Sequence, residues 1–579
     1  MPPRATPALL AVAACAAATT PLSRGLDALP RPHHPTASPT PPATWRQREL
    51  DDVFAAIVEH EAAKYNASFS LAFQMGDQVS AAAAGVVDPA GTRAAVDDKY
   101  AWGSITKMAT GASILKLVAD GALALDDRMA PRVDSFLAKL SARPDWNETW
   151  STVGELWGVA NVSKTTIREL LGMESSVPDF DTANNCHPSP CENTDPLRAT
   201  LYVRRADYLS DESRRRRGRD ADSPQRRGRG DAAAPSRIVR GGRTREGESV
   251  TGTHDPSTPP RPRRGQSAET RSRRRRRSEP DRPRSDARGR SVTGTQGPST
   301  PPRPRRPWRP ARRYETGVAY TPTELMAVPW VAGSWRGPCT PYHEGTAPFC
   351  YSSTGFMLLG MILADALNAS SPEALDQNAF LPKDVATRIS WANDGRPPSA
   401  YADVHGHDRT SYNQRAGRAG DHDDYDVPGV FAGWTASDIV ADASAVADLA
   451  WNIYGTKTVT PNSDLMIPSN GGLGKDYEIY GLATFNLAGD TGQTGKWGDA
   501  YGHLGATYGY QSVVAYFPHL NASMAIATSL ETDTQQHPSD ALCLAYNKAV
   551  DVLYGVSHAC NFTAGSYYSG DCDCEPIVV

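Results

Sequence analysis

The apolar positions of the chain change period along its length, and the changes outline its elements. From Arg46 to Tyr65, Leu50, Val53, Ile57 and Val58 recur at helical spacing, which predicts a helix. Ser68 to Gln74 alternates, Gly76-Asp77 supplies a turn, and a second strand from Gln78 to Val86 completes a hairpin. Between Thr106 and Gly121 the helical spacing returns at Met108, Ile114, Leu115, Leu117 and Val118, with Gly121 suited to end it. Toward the C-terminus, Tyr508 to Phe517 and Ser523 to Leu530 read as strands joined by a Pro518-His-Leu-Asn521 turn, and a last helix follows over about Ser539 to Leu553. Strands at both ends with helices between them predict a mixed α/β, α+β architecture: a sheet covered by helices, with a helical lobe inserted.

The pattern fails between about Leu209 and Gly317, where large apolar residues almost vanish. This stretch explains much of the low hydrophobic content, 39% of 579 residues. It also distorts the charge. Arg204 to Arg313 holds 33 Arg against 13 Asp or Glu, a net of +20, whereas the remainder holds 28 basic and 52 acidic residues, a net of -24. The overall charge of -4 therefore says nothing useful about partners.

Ser249-Val-Thr-Gly-Thr253 through Pro259-Pro-Arg-Pro-Arg-Arg264 recurs as Ser291 through Arg306, an offset of 42 residues. Such units have no apolar face to stack as a solenoid, and cannot bury enough surface to offset chain entropy. Residues 209–319 are read as a disordered Arg/Pro-rich insert. Arg273 to Arg277 could meet nucleic acid or an anionic glycan, and Pro259-x-x-Pro262-x-Arg264 resembles an SH3 ligand. A loop expansion or translated non-coding segment is the favoured reading, and no nucleic-acid partner is expected.

Met1-Pro-Pro-Arg4, the apolar Leu9 to Ala18 and small residues at Ala16 to Ala18 read as a secretory signal over 1–20. A Pro- and Thr-rich leader follows over 21–45. No other long apolar run exists, so no membrane span is expected. Beyond Cys15, eight cysteines remain: Cys186, Cys191, Cys339, Cys350, Cys543, Cys560, Cys572 and Cys574. An even number fits disulfides in an oxidising compartment, and Cys572-Asp-Cys574 is too tight for a zinc knuckle. Sequons at Asn66, Asn147, Asn161, Asn368, Asn521 and Asn561 point the same way, to a secreted glycoprotein. The globular part is then 46–208 with 320–556, and 557–579 is a Cys-rich tail. No cofactor or metal is called for.

Chemistry concentrates at Trp102-Gly-Ser-Ile-Thr-Lys107. Ser104 stands where a loop enters a helix whose first N–H groups are unsatisfied, and Lys107 lies three residues on, over the same face. A serine hydroxyl needs a base to become a nucleophile, and a desolvated lysine can serve. The plain alternative is a helix start with Ser104 as cap and Lys107 in solvent.

Trp102 to Asp127 resembles the first motif region of the serine beta-lactamase and penicillin-binding-protein superfamily. It is most similar to the branch of class C beta-lactamases, D-alanyl-D-alanine carboxypeptidases and esterases. Thr166 to Leu171 followed by Ser175-Ser-Val-Pro-Asp179 is similar to the next stretch, with Met173-Glu-Ser-Ser176 where the branch often has His-Thr-Ser-Gly. Tyr351-Ser-Ser353 resembles the second motif, Y-x-N, with Ser353 in place of the commoner Asn. His503-Leu-Gly505 resembles the third, K-T-G or H-x-G.

The resemblance covers roughly Arg46 to Leu553 apart from the insert. It implies a beta-lactamase/transpeptidase-like fold with an antiparallel sheet, and an acyl-enzyme formed on Ser104. Lys107 and Tyr351 would move the proton, and His503 would assist proton traffic or bind a substrate carboxylate. Ser353 and Gly505 would meet the substrate, and Ala506 would join Ser104 in an oxyanion hole. The implied partner is a small-molecule or peptide substrate with an amide, ester or lactam carbonyl. A catalytically weak binding or surface protein on the same scaffold, and a polyanion binder acting through the insert, are the competing readings.

Overall fold

Helix α1 (Gln47–Tyr65) forms where the apolar periodicity places it and turns one stripe inward: Leu50, Phe54, Val58 and Ala62. Lys64 in its last turn suits the negative end of the helix dipole, and Asn66 closes it in the left-handed region at φ 51°. In the computed structural model, residues 45–144, 146, 151–157, 160–175, 177–180, 321–327, 331, 349–410, 420–468 and 478–560 are described. All of them fall in one unit, Met1–Arg216 with Trp308–Val579. The signal and the leader up to residue 44, the insert and the Cys-rich tail after Cys560 lie outside the described residues, as do Cys186, Cys191 and Cys339.

The main sheet has six antiparallel strands in the order β2-β1-β11-β10-β9-β8. They are β1 (Phe69–Met75), β2 (Gln78–Ala84), β8 (Phe485–Asn486), β9 (Tyr501–Thr507), β10 (Tyr510–Phe517) and β11 (Ala522–Thr528). The N-terminal hairpin therefore pairs directly with a C-terminal strand, Leu71 standing opposite Ala82 on one side and Ile526 on the other. Two small sheets brace it. One orders β3 (Tyr100–Ala101), β7 (Ile439–Ala441) and β4 (Ser390–Trp391) as β3-β7-β4. The other orders β12 (Leu530–Glu531), β5 (His407–Asp408) and β6 (His422–Asp423) as β12-β5-β6.

The alternation in β1 sorts residues by partner rather than by solvent. Phe73 packs edge-on against Phe54 of α1 at 5.9 Å, whereas Gln74 on the other face donates to Asp448 at 3.1 Å. Asp448 lies on a later helix, Ala443–Ala450, which also accepts a hydrogen bond from Ser523 of β11 at Ala447 O. Both faces are thus covered, as in a two-sided α+β layer. The last helix, Gln536–Tyr554, packs with α1 and against β10 and β11, and Cys543 on it is bridged to Cys560.

Some expected boundaries shift for local reasons. The run beginning at Tyr508 starts with a turn, because Gly509 at φ 89° closes the β9–β10 hairpin and β10 begins at Tyr510. The run ending at Leu530 breaks after Thr528, where Leu530–Glu531 leaves the main sheet to pair in parallel with β5. No described helix is long and apolar enough to cross a membrane.

Candidate active site

The site is built on the segment that leaves β3. Tyr100 and Ala101 pair with Ala441 and Val440, Trp102 N donates to Ile439 O at 2.9 Å, and the Trp102 indole donates to Ala441 O at 2.8 Å. Gly103 then takes φ 53°, and a 3₁₀ turn (Gly103–Ile105) leads into helix α2 (Thr106–Ala119). Ser104 sits on that turn rather than in open loop. It is partly exposed, whereas Lys107 is fully buried. Helix α2 is buried all round from Thr106 to Leu115, so Lys107 has no solvent face to occupy.

The Lys107 Nζ lies within hydrogen-bond reach of Ser104 Oγ at 2.9 Å, Ser353 Oγ at 3.1 Å and Ala436 O at 3.0 Å. The Tyr351 ring centroid is 5.0 Å away and that of Phe356 5.7 Å. This set accommodates both forms of the amine. An ammonium donates one N–H to each oxygen. A neutral amine can donate to Ala436 O and Ser353 Oγ while its lone pair accepts the Ser104 hydroxyl proton. The plain alternative, Lys107 in solvent, does not hold.

Ser353 opens helix α3 (Ser353–Ala366), which Ser352 caps by accepting from Gly355 N at 3.1 Å. The loop before the insert grips this start. Asp179 Oδ1 accepts from Ser353 N at 3.0 Å, Met173 Sδ from Ser352 N at 3.2 Å, and Met173 O from Cys350 N at 2.7 Å. Met173 holds φ 58°, an uncommon conformation for an unbranched side chain, and Cys350 is itself disulfide-bonded. The departure at Met173-Glu-Ser-Ser176 thus still anchors the second motif. Ala436 reaches Lys107 because its turn is clamped on two sides: Thr110 donates to Thr435 O at 2.7 Å, and Thr435 donates to Phe356 O at 3.0 Å.

The third motif lies on β9. His503 is fully buried and pairs across the strand with Val514. Its Nδ1 lies 2.5 Å from Leu504 O and its Nε2 2.9 Å from the Tyr480 hydroxyl. Burial pushes its pKa down to about 3, helped by the charge of Lys107. Gly505 faces protein rather than open cleft: a Cβ there would run into Trp102 O and Ser512 Oγ. Ala506 is partly exposed and its backbone abuts Gly103.

Ser104, Lys107 and Ser353 are therefore brought together, with the Tyr351 ring beside them and Ala506 against the turn that carries Ser104. His503 lies close but is hydrogen-bonded to Tyr480 and its own strand. Sequence reasoning named neither Ala436 nor Tyr480 as a site residue, and gave Met173 and Asp179 no part in one. Ala436 and Met173 act through backbone or thioether atoms, and no residue pattern marks them.

Gly103 carries a direct expectation. Its φ is positive, and an added Cβ would lie 2.5 Å from Ala506 O and 2.9 Å from Ala506 N. Gly103→Ala should destabilise the fold by about 1–3 kcal/mol, with the turn of Ser104 pushed from β9. A urea-unfolding midpoint equal to the wild type would contradict this packing.

The scaffold class is that of the serine-hydrolase-like proteins in which a helix and a main antiparallel sheet meet at a Ser-x-x-Lys turn. The Beta-lactamase family model matches residues 50–209 and 340–545, more than half of the chain, and the chain belongs to that family. The match leaves out the segment that contains the Arg-rich repeat. No curated protein matched the chain.

Among solved structures, the chain is similar to the D-amino acid amidase from Ochrobactrum anthropi SV3 complexed with D-phenylalanine (12% identity, TM-score 0.49, covering 87% of this chain and 99% of that one). It is also similar to the D-stereospecific amidohydrolase from Streptomyces sp. (14% identity, TM-score 0.45, 88% and 99%). A third is the octameric penicillin-binding protein homologue from Pyrococcus abyssi (16% identity, TM-score 0.46, 87% and 77%).

Proposed function

We propose that the protein is a serine hydrolase that opens an amide, ester or lactam carbonyl through an acyl-enzyme on Ser104. The observation that carries this reading is the buried Lys107 amine within 2.9 Å of Ser104 Oγ and 3.1 Å of Ser353 Oγ. In the reaction, Ser104 Oγ bonds to the carbonyl carbon as its proton passes to Lys107, with the neighbouring Tyr351 phenol as relay. The proton then goes to the leaving amine or alkoxide, and water repeats the sequence on the acyl-enzyme. Ser353 takes up the contact to Lys107 that a motif asparagine could make, so its presence is compatible with activity. Ala506 and Ser104 supply the backbone N–H groups of the oxyanion hole.

The same reading places the protein in the secretory route. The Cys543–Cys560 bridge and the disulfide at Cys350 support it, as do the exposed sequon residues Asn66, Asn368 and Asn521. The test is labelling of the full-length protein by a fluorescent penicillin or a fluorophosphonate. Label on Ser104, lost in Ser104→Ala, is expected. Equal labelling of the two proteins would sink the proposal.

A further inference from the structure

His503 occupies the position at which a proton carrier is expected, but its surroundings commit both ring nitrogens. Leu504 O can only accept, so the Nδ1 that faces it at 2.5 Å carries a hydrogen. The neutral ring then has a bare lone pair at Nε2, and the Tyr480 hydroxyl, 2.9 Å away, donates to it. This fixes the tautomer as a consequence of the partners.

Tyr480 is itself held. It bridges to Phe485 in a short hairpin whose tip, Ala483, donates its N–H to Leu171 O at 2.9 Å. The Ala483 methyl fills the space where Gly111 of α2 lacks a side chain, so the hairpin is seated on the helix that carries Lys107. The rings then form one continuous cluster, edge-on at Tyr480–Phe485 and Phe485–His503 and stacked at Tyr351–Phe485. Phe485 lies 4.6 Å from Tyr480 and 4.8 Å from His503, and the Tyr351 ring stacks on Phe485 at 6.2 Å with planes 14° apart. Tyr351 is the ring of this cluster that faces the Lys107 amine, which lies 5.0 Å from its centroid.

We infer that Tyr480 and His503 form a neutral hydrogen-bonded wedge that positions the Tyr351 ring beside Lys107, with Tyr480 a positioning residue and neither group passing a proton during turnover. The inference rests on the serine-hydrolase reading for its consequence, though not for its geometry. Among the described residues, Lys107, Tyr351 and Tyr480 are titratable groups that face the His503 ring. A charge arriving on His503 would stand beside Lys107 and would reverse the direction in which Tyr480 donates.

The experiment has two arms. In the first, the rate of Ser104 labelling by a fluorophosphonate is measured from pH 5 to 9 for wild type, Tyr480→Phe, His503→Gln and the double variant. His503→Gln keeps an acceptor for Tyr480 and should lose no more than about threefold, while Tyr480→Phe should lose about tenfold. The double variant should fall no further than Tyr480→Phe, and every profile should keep the wild-type shape. A loss above about a hundredfold in His503→Gln, with one limb of the profile gone, would make His503 a proton carrier and overturn the inference. Wild-type rates in Tyr480→Phe would overturn it too.

The second arm needs no activity. In ¹⁵N-histidine spectra, the resonance missing from His503→Gln should report a neutral Nδ1–H ring that does not titrate between pH 5 and 8, and should move in Tyr480→Phe. Titration in that range refutes the wedge. Absence of any Ser104 labelling in the wild type would instead refute the hydrolase reading and leave this arm decisive.

Discussion

Lys107→Met should leave the protein folded and take away its reactivity. The rate at which a fluorophosphonate labels Ser104 is expected to fall by about 10³, within the range for loss of a positioned general base. The thermal midpoint should stay within a few degrees of the wild type. Two opposing terms set this second expectation. Lys107 is fully buried, and methionine has nearly the same length and flexibility, so the substitution removes the desolvation of an amine without opening a cavity. Against this, Ala436 O and Ser353 Oγ each lose a donor, which costs about 1–3 kcal/mol per buried group left unpaired. A lysine kept for structure would behave in the opposite way, lowering the midpoint and sparing the labelling rate. Measuring both quantities on one variant separates the two roles.

The contrast follows from which parts of the site are local in the chain. Ser104 and Lys107 are three residues apart on one turn, so their contact is implied by helical geometry once α2 is recognised. Ser353 is 246 residues from Lys107 and became a candidate only through the resemblance of Tyr351-Ser-Ser353 to a known motif. Ala436 contributes a carbonyl, which every residue has, and its position depends on Thr435 being clamped between α2 and α3. His503 was legible as a residue near the site but not in its partners, because Tyr480 comes from a separate hairpin and its hydroxyl fixes what the imidazole can do.

The fold divides in the same manner. The β1–β2 hairpin and α1 follow from period and turn residues, since their contacts are close in sequence. The burial of Gln74 and Ser70 does not, since the helix that covers that face is about 370 residues downstream. An alternating strand announces two different faces. It does not say that the polar one meets water.

Stability should change little from about pH 5 to 6 and then fall by about 2 kcal/mol by pH 8. Four fully buried groups set this shape. Burial raises the pKa of Asp438 to about 8 and that of Asp490 to about 7, and lowers His503 to about 3 and His537 to about 4. The unfolded values are near 3.9 for Asp and 6.5 for His. Between those two values the folded chain keeps two carboxyl protons that the unfolded chain has released, so each aspartate makes stability fall as pH rises. Over the same interval the unfolded chain holds two imidazolium protons that the folded chain lacks, so each histidine makes stability rise. The two pairs offset one another.

Above about pH 6 the unfolded imidazoles lose their protons, so the histidine offset fades until by about pH 7.5 only the aspartates remain. Their contribution is lost through pH 7 for Asp490 and pH 8 for Asp438. Carboxylates held below their usual range, such as Asp365 beside Ser135, Lys139 and Arg132, or Asp421 beside His407 and Arg409, reach their full effect by about pH 5, while those that burial holds above it, such as Asp448 and Glu174, act in the opposite direction at the acid end. The interactions of the two aspartates agree with their being protonated. Asp438 is approached by the Gln377 amide at 2.6 Å on Oδ2 while Oδ1 is unpartnered, and neither oxygen of Asp490 has a partner. Urea-unfolding midpoints measured from pH 5 to 9 should therefore show the decline in the wild type, and Asp438→Asn should remove its later part. A wild-type midpoint that rises between pH 6.5 and 8 would mean that these carboxylates are ionised in the folded chain and held by cations, the reverse of the arrangement that buries them.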